Sequence, residues 1–205
     1  MADSNHVIPF ILKWEGVLSK NPSDYYAKYP VPDGSGYHTN KGITWYNWSK
    51  IFGSSADSIA EFYKMPQSKW IKVYHDFYWN AIKGDDIKSQ RIADLLVNWV
   101  WGSGSKPISI LQQILNVKVD GVIGPNTIKA LNSANENDVF NKLKAANINF
   151  YKNLGNNPAN SSFMTGWFNR LNDFYDNFAS EIKQNSGKLS TIIVILIAGY
   201  FLLKK

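Results

Sequence analysis

The chain has 205 residues, no cysteine and three histidines, with 22 Lys+Arg against 16 Asp+Glu for a formal charge of +6. That length allows one large domain or two small ones, and the missing cysteines exclude a disulfide scaffold, a zinc finger or an iron–sulfur site. With 44% hydrophobic and 15% aromatic residues the chain can bury an ordinary core, which excludes wholesale disorder. The charge suits an anionic partner. Its basic residues are spread rather than clustered with aromatics, which argues against nucleic acid.

The first six residues, Met1 to His6, carry an acid and polar groups where a secretory signal would be basic and then apolar, so no export signal is expected. Val7, Phe10, Ile11, Trp14 and Leu18 then recur at spacings of three and four, the mark of one buried helix face, with Ser4 or Asn5 as its cap. From Ser19 to His38 the density of Pro, Gly, Tyr and Ser predicts a loop or short hairpin. Pro66 opens a helix with Trp70, Ile71, Val73, Tyr74, Phe77 and Tyr78 inward. Ser89 caps another carrying Ile92, Leu95, Leu96, Trp99 and Val100, which Gly102 is expected to stop. Shorter helices are predicted over 108–115 and 125–131, and longer ones over 138–153 and 166–182.

Residues 184–188 read as a linker. Beyond them 189–203 form an uncharged apolar run closed by Lys204 and Lys205. At ~1.5 Å per residue it reaches roughly 22 Å, short of the roughly 30 Å hydrocarbon core unless the flanking lysines snorkel. The expectation is a transmembrane or membrane-anchoring helix over 189–205, with a buried core helix as the alternative.

Polar chemistry gathers at two places. Glu15 follows Trp14 at the end of the first helix, and a carboxyl at the rim of an apolar core is placed as a general acid requires. The segment Gly36-Tyr37-His38-Thr39-Asn40-Lys41-Gly42-Ile43-Thr44 joins a Gly-rich turn to hydroxyl and amide groups, and Gly42 permits close backbone approach. Such groups beside aromatic faces suit a sugar. Tyr37, His38, Thr39, Asn40, Thr44 and Trp101 are therefore the expected substrate-binding residues, with Trp45 and Trp48 as further groove-lining candidates. Trp70, Trp79, Trp99 and Trp167 read as core. No metal or cofactor is called for.

The run Phe10-Ile11-Leu12-Lys13-Trp14-Glu15-Gly16, then His38-Thr39-Asn40-Lys41-Gly42-Ile43-Thr44, Phe77-Tyr78-Trp79-Asn80 and Asn98-Trp99-Val100-Trp101-Gly102-Ser103-Gly104 resembles glycoside hydrolase family 108, lysozyme-like N-acetylmuramidases. Val119-Asp120-Gly121-Val122-Ile123-Gly124-Pro125-Asn126-Thr127 is similar to the peptidoglycan-binding region that follows this catalytic domain. The versions it resembles are those of Bacteroidetes and their phages. The resemblance implies a mainly α fold: a lysozyme-like catalytic region over 1–105 with a short hairpin or irregular loop, then a helical peptidoglycan-binding-like region over 106–183. It implies Glu15 as catalytic acid, although the chain reads Glu15-Gly16-Val17-Leu18 where the family has Glu-Gly-Gly-Tyr.

Cleavage of the β-1,4 bond between N-acetylmuramic acid and N-acetylglucosamine is the expected activity, with glycan strands as partner. Glycoside hydrolysis usually uses two carboxyls. Asp24 and Asp33 are candidates for the second, as is a water held by Thr39 or Thr44, and a lytic transglycosylase would need one acid only. The apolar tail adds the expectation of a phage lysin anchored in a virion membrane or host inner membrane and acting on periplasmic peptidoglycan. A catalytically inactive wall-binding protein is the remaining alternative.

Overall fold

The computed structural model describes residues 1–20 and 29–185, and these are mainly helical. Helix α1 (Ile8–Trp14) begins at Val7 with Pro9 in its first turn and no side-chain cap, so neither Ser4 nor Asn5 plays the expected part. Asp3 instead accepts from the Asn5 N–H, closing a turn ahead of the helix. The helix also stops earlier than the apolar spacing suggests. Glu15 is already extended, and Leu18 lies beyond the helix.

Strands β1 (Thr39–Asn40) and β2 (Ile43–Thr44) pair antiparallel in the register Thr39 to Thr44 and Asn40 to Ile43. Their two-residue turn, Lys41-Gly42, has positive φ at both positions (46° and 77°), the mirror-image turn that matches strand twist. Ser19 bridges to Thr39 on the other side.

Two helices follow that the chain-order reading does not predict: α2 (Trp45–Phe52), capped by Thr44, and α3 (Ala56–Lys64), capped by Ser55. Pro66 starts α4 (Gln67–Tyr74) as expected, and a π-helical turn, His75–Trp79, continues it. The Ser89 hydroxyl accepts from the Ile92 N–H to cap α5 (Gln90–Ser103), which ends at Gly104 rather than Gly102. Next come α6 (Lys106–Ile114), α7 (Pro125–Ser133), α8 (Glu136–Gly155) and α9 (Ser161–Asn185).

The chain divides into two compact units, 1–147 and 148–205, with the boundary inside α8. In the first unit α5 is buried without interruption from Ile92 to Trp101. The sequence shows one apolar face there, whereas the fold covers the helix on every side, Asp94 and Asn98 included. Ile11, Ile43, Trp45, Trp48, Phe62, Trp70, Tyr74, Trp79 and Leu111 complete this core. Each such large side chain contributes about 1.5–3 kcal/mol on burial. Trp70, Trp79 and Trp99 are core as expected. Trp45 and Trp48, expected at a groove, are also core at 2% and 0% exposure, because α2 turns both inward and the Trp48 N–H donates to Ser58.

In the second unit Tyr151 packs on Trp167 with ring centroids 5.7 Å apart, and Gly155 lies against Met164. Helix α9 continues through Gln184 and Asn185, where a linker was expected to begin. The expected hydrophobic helix over 189–205 lies outside the described residues. Among the described residues no helix is long and apolar enough to cross a membrane.

Candidate active site

The position of α1 against α5 follows from contacts ahead of the helix. The Ala2 N–H donates to Ile87 O, and Gln90 both accepts from the Asp3 N–H and donates to its carbonyl. His6 Nδ1 lies 2.7 Å from the buried Asp94 carboxylate, and the Tyr74 hydroxyl donates to Ser4 O. Asp94 stands two turns before Trp101 on α5, so this clamp fixes the register in which the end of α1 meets the end of α5.

At that meeting point the Trp101 indole N–H donates to Glu15 Oε1 at 2.7 Å. Glu15 is half-buried, leaving α1 where its own N–H closes the last turn onto Ile11 O. Trp101 is held between aromatic neighbours, with Tyr78 at 4.4 Å and Trp70 at 5.2 Å between ring centroids. The Trp70 N–H donates to Lys41 O at 3.0 Å, which pins the hairpin turn to the same cluster.

Gly42 presses on the carboxyl itself. A Cβ there would stand 2.5 Å from Glu15 Oε2 and 2.8 Å from Trp101 Cζ2, and its φ of +77° is one that other residues adopt only with strain. The tip of the hairpin thus closes one side of Glu15 while the indole grips the other. Tyr78 and Asn47 stand beside them. Burial pushes the Tyr78 phenol pKa up and the nearby Glu15 charge adds to this, against a hydrogen bond from the Asn47 amide at 3.3 Å. Asn47 is placed by Thr44, whose hydroxyl accepts from the Asn47 N–H.

The other expected site residues are spread over different tasks. Thr39 and Thr44 face each other across the hairpin, both half-buried, and Tyr37 is exposed. His38 is 1% exposed; its Nε2–H donates to Ser35 O and its Nδ1 lies 2.9 Å from the Tyr63 hydroxyl. Asn40 is buried too, its amide donating to the carbonyls of Phe62 and Tyr63. These two side chains hold the hairpin onto α3 rather than facing a groove.

Asp33 accepts from the Ser35 hydroxyl and N–H, which hold its carboxyl below the usual range, and the Tyr63 hydroxyl lies 3.3 Å from its other oxygen. This is the geometry of an aspartate closing a turn. Asp24 lies outside the described residues. Trp70, Tyr78 and Asn47 enter the site without having been read as site residues. The first two look like core at helical spacing, and Asn47 is legible only once Thr44 is known to cap a helix.

Residues 8–104 match the family model Glycosyl hydrolase 108, and residues 106–172 match a second model described as a predicted peptidoglycan domain. Among solved structures the chain is similar to SagA of Brucella abortus, with 26% identity and a TM-score of 0.67 over 86% of this chain and 94% of that one. No curated protein matches it. A carboxyl gripped by an indole at the tip of a glycine turn thus sits within the first matched region, and the chain is a glycoside hydrolase whose residues 8–104 match the family 108 model and whose residues 106–172 match the peptidoglycan-domain model.

Proposed function

We propose that the protein cleaves the β-1,4 bond between N-acetylmuramic acid and N-acetylglucosamine in peptidoglycan, with Glu15 protonating the leaving oxygen. The observation that carries this reading is the fixed Glu15 carboxyl. Oε1 accepts from Trp101 and Oε2 lies against Gly42 on the side of the hairpin, so the carboxyl is held in one orientation. General acid catalysis depends on such a defined position of the acid. Asp33 is engaged by its own turn, which favours Asp24 or a water held at the hairpin by Thr39 or Thr44 over Asp33 as the second group.

The test is mass spectrometry of fragments released from purified sacculi by the full chain, with Glu15→Gln alongside. Fragments with a reducing N-acetylmuramic acid end, lost in the variant, are the expected result. Anhydro ends would make the enzyme a lytic transglycosylase, and binding without release would make it a wall-binding protein. A role as a phage lysin anchored by residues 189–203 in a virion membrane or host inner membrane rests on the apolar sequence there. Recovery of the protein in the membrane fraction of purified particles would support it, and recovery only in the aqueous phase would count against it.

A further inference from the structure

His38 is a buried titratable group that the chemistry at Glu15 does not use. It stands immediately before β1, at the base of the hairpin whose tip presses on the carboxyl. Its Nε2 faces the Ser35 carbonyl at 2.9 Å, an oxygen that only accepts, so Nε2 carries a proton in every state of the ring. Its Nδ1 faces the Tyr63 hydroxyl. That hydroxyl also meets Ser35 Oγ at 2.8 Å and Asp33 Oδ2 at 3.3 Å, while the Ser35 hydroxyl donates to Asp33 Oδ1.

The cluster has two proton arrangements. Tyr63 has a single proton to give and keeps it, because burial pushes the phenol pKa up. With His38 neutral, Nδ1 is a bare acceptor and Tyr63 donates to it, leaving Asp33 Oδ2 without the phenol. With a proton added to His38, Nδ1–H donates to the Tyr63 oxygen and the Tyr63 proton swings to Asp33 Oδ2. The second arrangement has one more hydrogen bond and sets a carboxylate against the buried imidazolium through the phenol. Lys20, 5.7 Å over the Tyr63 ring, opposes the added charge. Of the other charges on α3, Glu61 is taken up by Lys69, and Asp57 and Lys64 stand in its first and last turns. The Asp33 turn is itself a firm anchor, closed by the bridge between Val31 and Gly36.

We propose that His38, Tyr63 and Asp33 are positioning residues: uptake of one proton by His38 reverses the Tyr63 hydrogen bond and ties the base of the hairpin to the Asp33 turn, holding Gly42 against Glu15. The tie is complete below the titration midpoint of His38 and is lost as pH rises through it.

The experiment is a pH titration of the full chain, Asp33→Asn and Tyr63→Phe by NMR. It follows the His38 ring nitrogens and the Trp101 indole N–H, which is bonded to Glu15. Asparagine keeps the oxygen that closes the turn but offers Tyr63 an N–H2 in place of a carboxylate oxygen. Asp33→Asn should therefore lower the His38 midpoint by about half a unit or more. The Trp101 signal should show a step at the His38 midpoint in the wild type, a step moved with His38 in Asp33→Asn, and none there in Tyr63→Phe. An unmoved His38 midpoint in Asp33→Asn would overturn the proposal. So would a Trp101 signal blind to His38, which is what a merely structural cluster gives, or a His38 that stays neutral until the fold melts.

The effect on cleavage alone rests on the peptidoglycan reading. In the wild type kcat on sacculi should fall about three- to tenfold across the His38 step, the value of one hydrogen bond, and the step should be absent in Tyr63→Phe. A Trp101 signal that follows His38 in a chain that cleaves no sacculi would keep the positioning cluster and reject the muramidase. Cleavage of sacculi with no His38 step in kcat would do the reverse.

Discussion

The Trp101 indole is the one side chain of the site whose removal tests positioning alone, since it grips Glu15 while 9% exposed. Trp101→Phe keeps an aromatic ring beside Trp70 and Tyr78 and deletes the N–H. We expect kcat on peptidoglycan to fall about ten- to a hundredfold with KM little changed, because small misplacements of a catalytic group cost that much. Steady-state kinetics beside a melting curve would check this. A fall in kcat no larger than the lost stability explains would remove the positioning role. Glu15 is legible in the sequence because a carboxyl follows a buried tryptophan at a helix end. Gly42 is legible as a point of close approach, but the group it approaches lies 27 positions away and is set by the clamp between the N-terminus and α5. His38 and Asn40 mislead because polarity does not tell a residue facing solvent from one whose hydrogen bonds are met inside the fold.

Among the elements, α5 is the best written, with a Ser cap and an uninterrupted apolar period. Helices α2 and α3 are missed because their caps, Thr44 and Ser55, sit inside stretches that read as polar loop, and because the tryptophans of α2 resemble a sugar platform. Their burial shows that tertiary packing decides such segments. The loop between α6 and α7 shows the opposite case, a short element written by a single side chain. Gln112 is 1% exposed; it accepts from the N–H groups of Asp120 and Gly121 and donates to the Asp120 carboxylate and Val122 O. This holds the exposed side chains of Val119 and Val122 in place. Gln112→Ala should cost about 2–3 kcal/mol by urea unfolding, since it strands several polar groups. Asp120, whose pKa is held down first by Gln112, should titrate closer to the ordinary aspartate value of 3.8 in the variant. An unchanged Asp120 titration followed by NMR would mean that the loop holds itself.

At the scale of the whole molecule, Glu136 at the start of α8 accepts from the Ser89 hydroxyl and from Arg91, joining α8 to the start of α5. Burial opposes its charge, yet these bonds win and its pKa is lowered from 4.5. The stabilisation is therefore complete above the ordinary glutamate range and is lost as pH falls through the lowered value. Because the side chain is 52% exposed, solvent screening limits it to about 0.5–1 kcal/mol. Melting curves should show Glu136→Gln less stable than the wild type at neutral pH and equal to it in acid. A gap that persists in acid would assign the effect to packing. The seam between the two family domains falls at residue 105, yet the compact unit runs on to Asn147, and α6, just past the seam, packs directly on α5 with Pro107, Ile108 and Leu111 buried. A cut there would strip the apolar cover of α6 from the helix that carries Trp101, so the boundary between the two matched regions is not a boundary of folding: a fragment ending at residue 105 would lose the packing that holds the indole on Glu15.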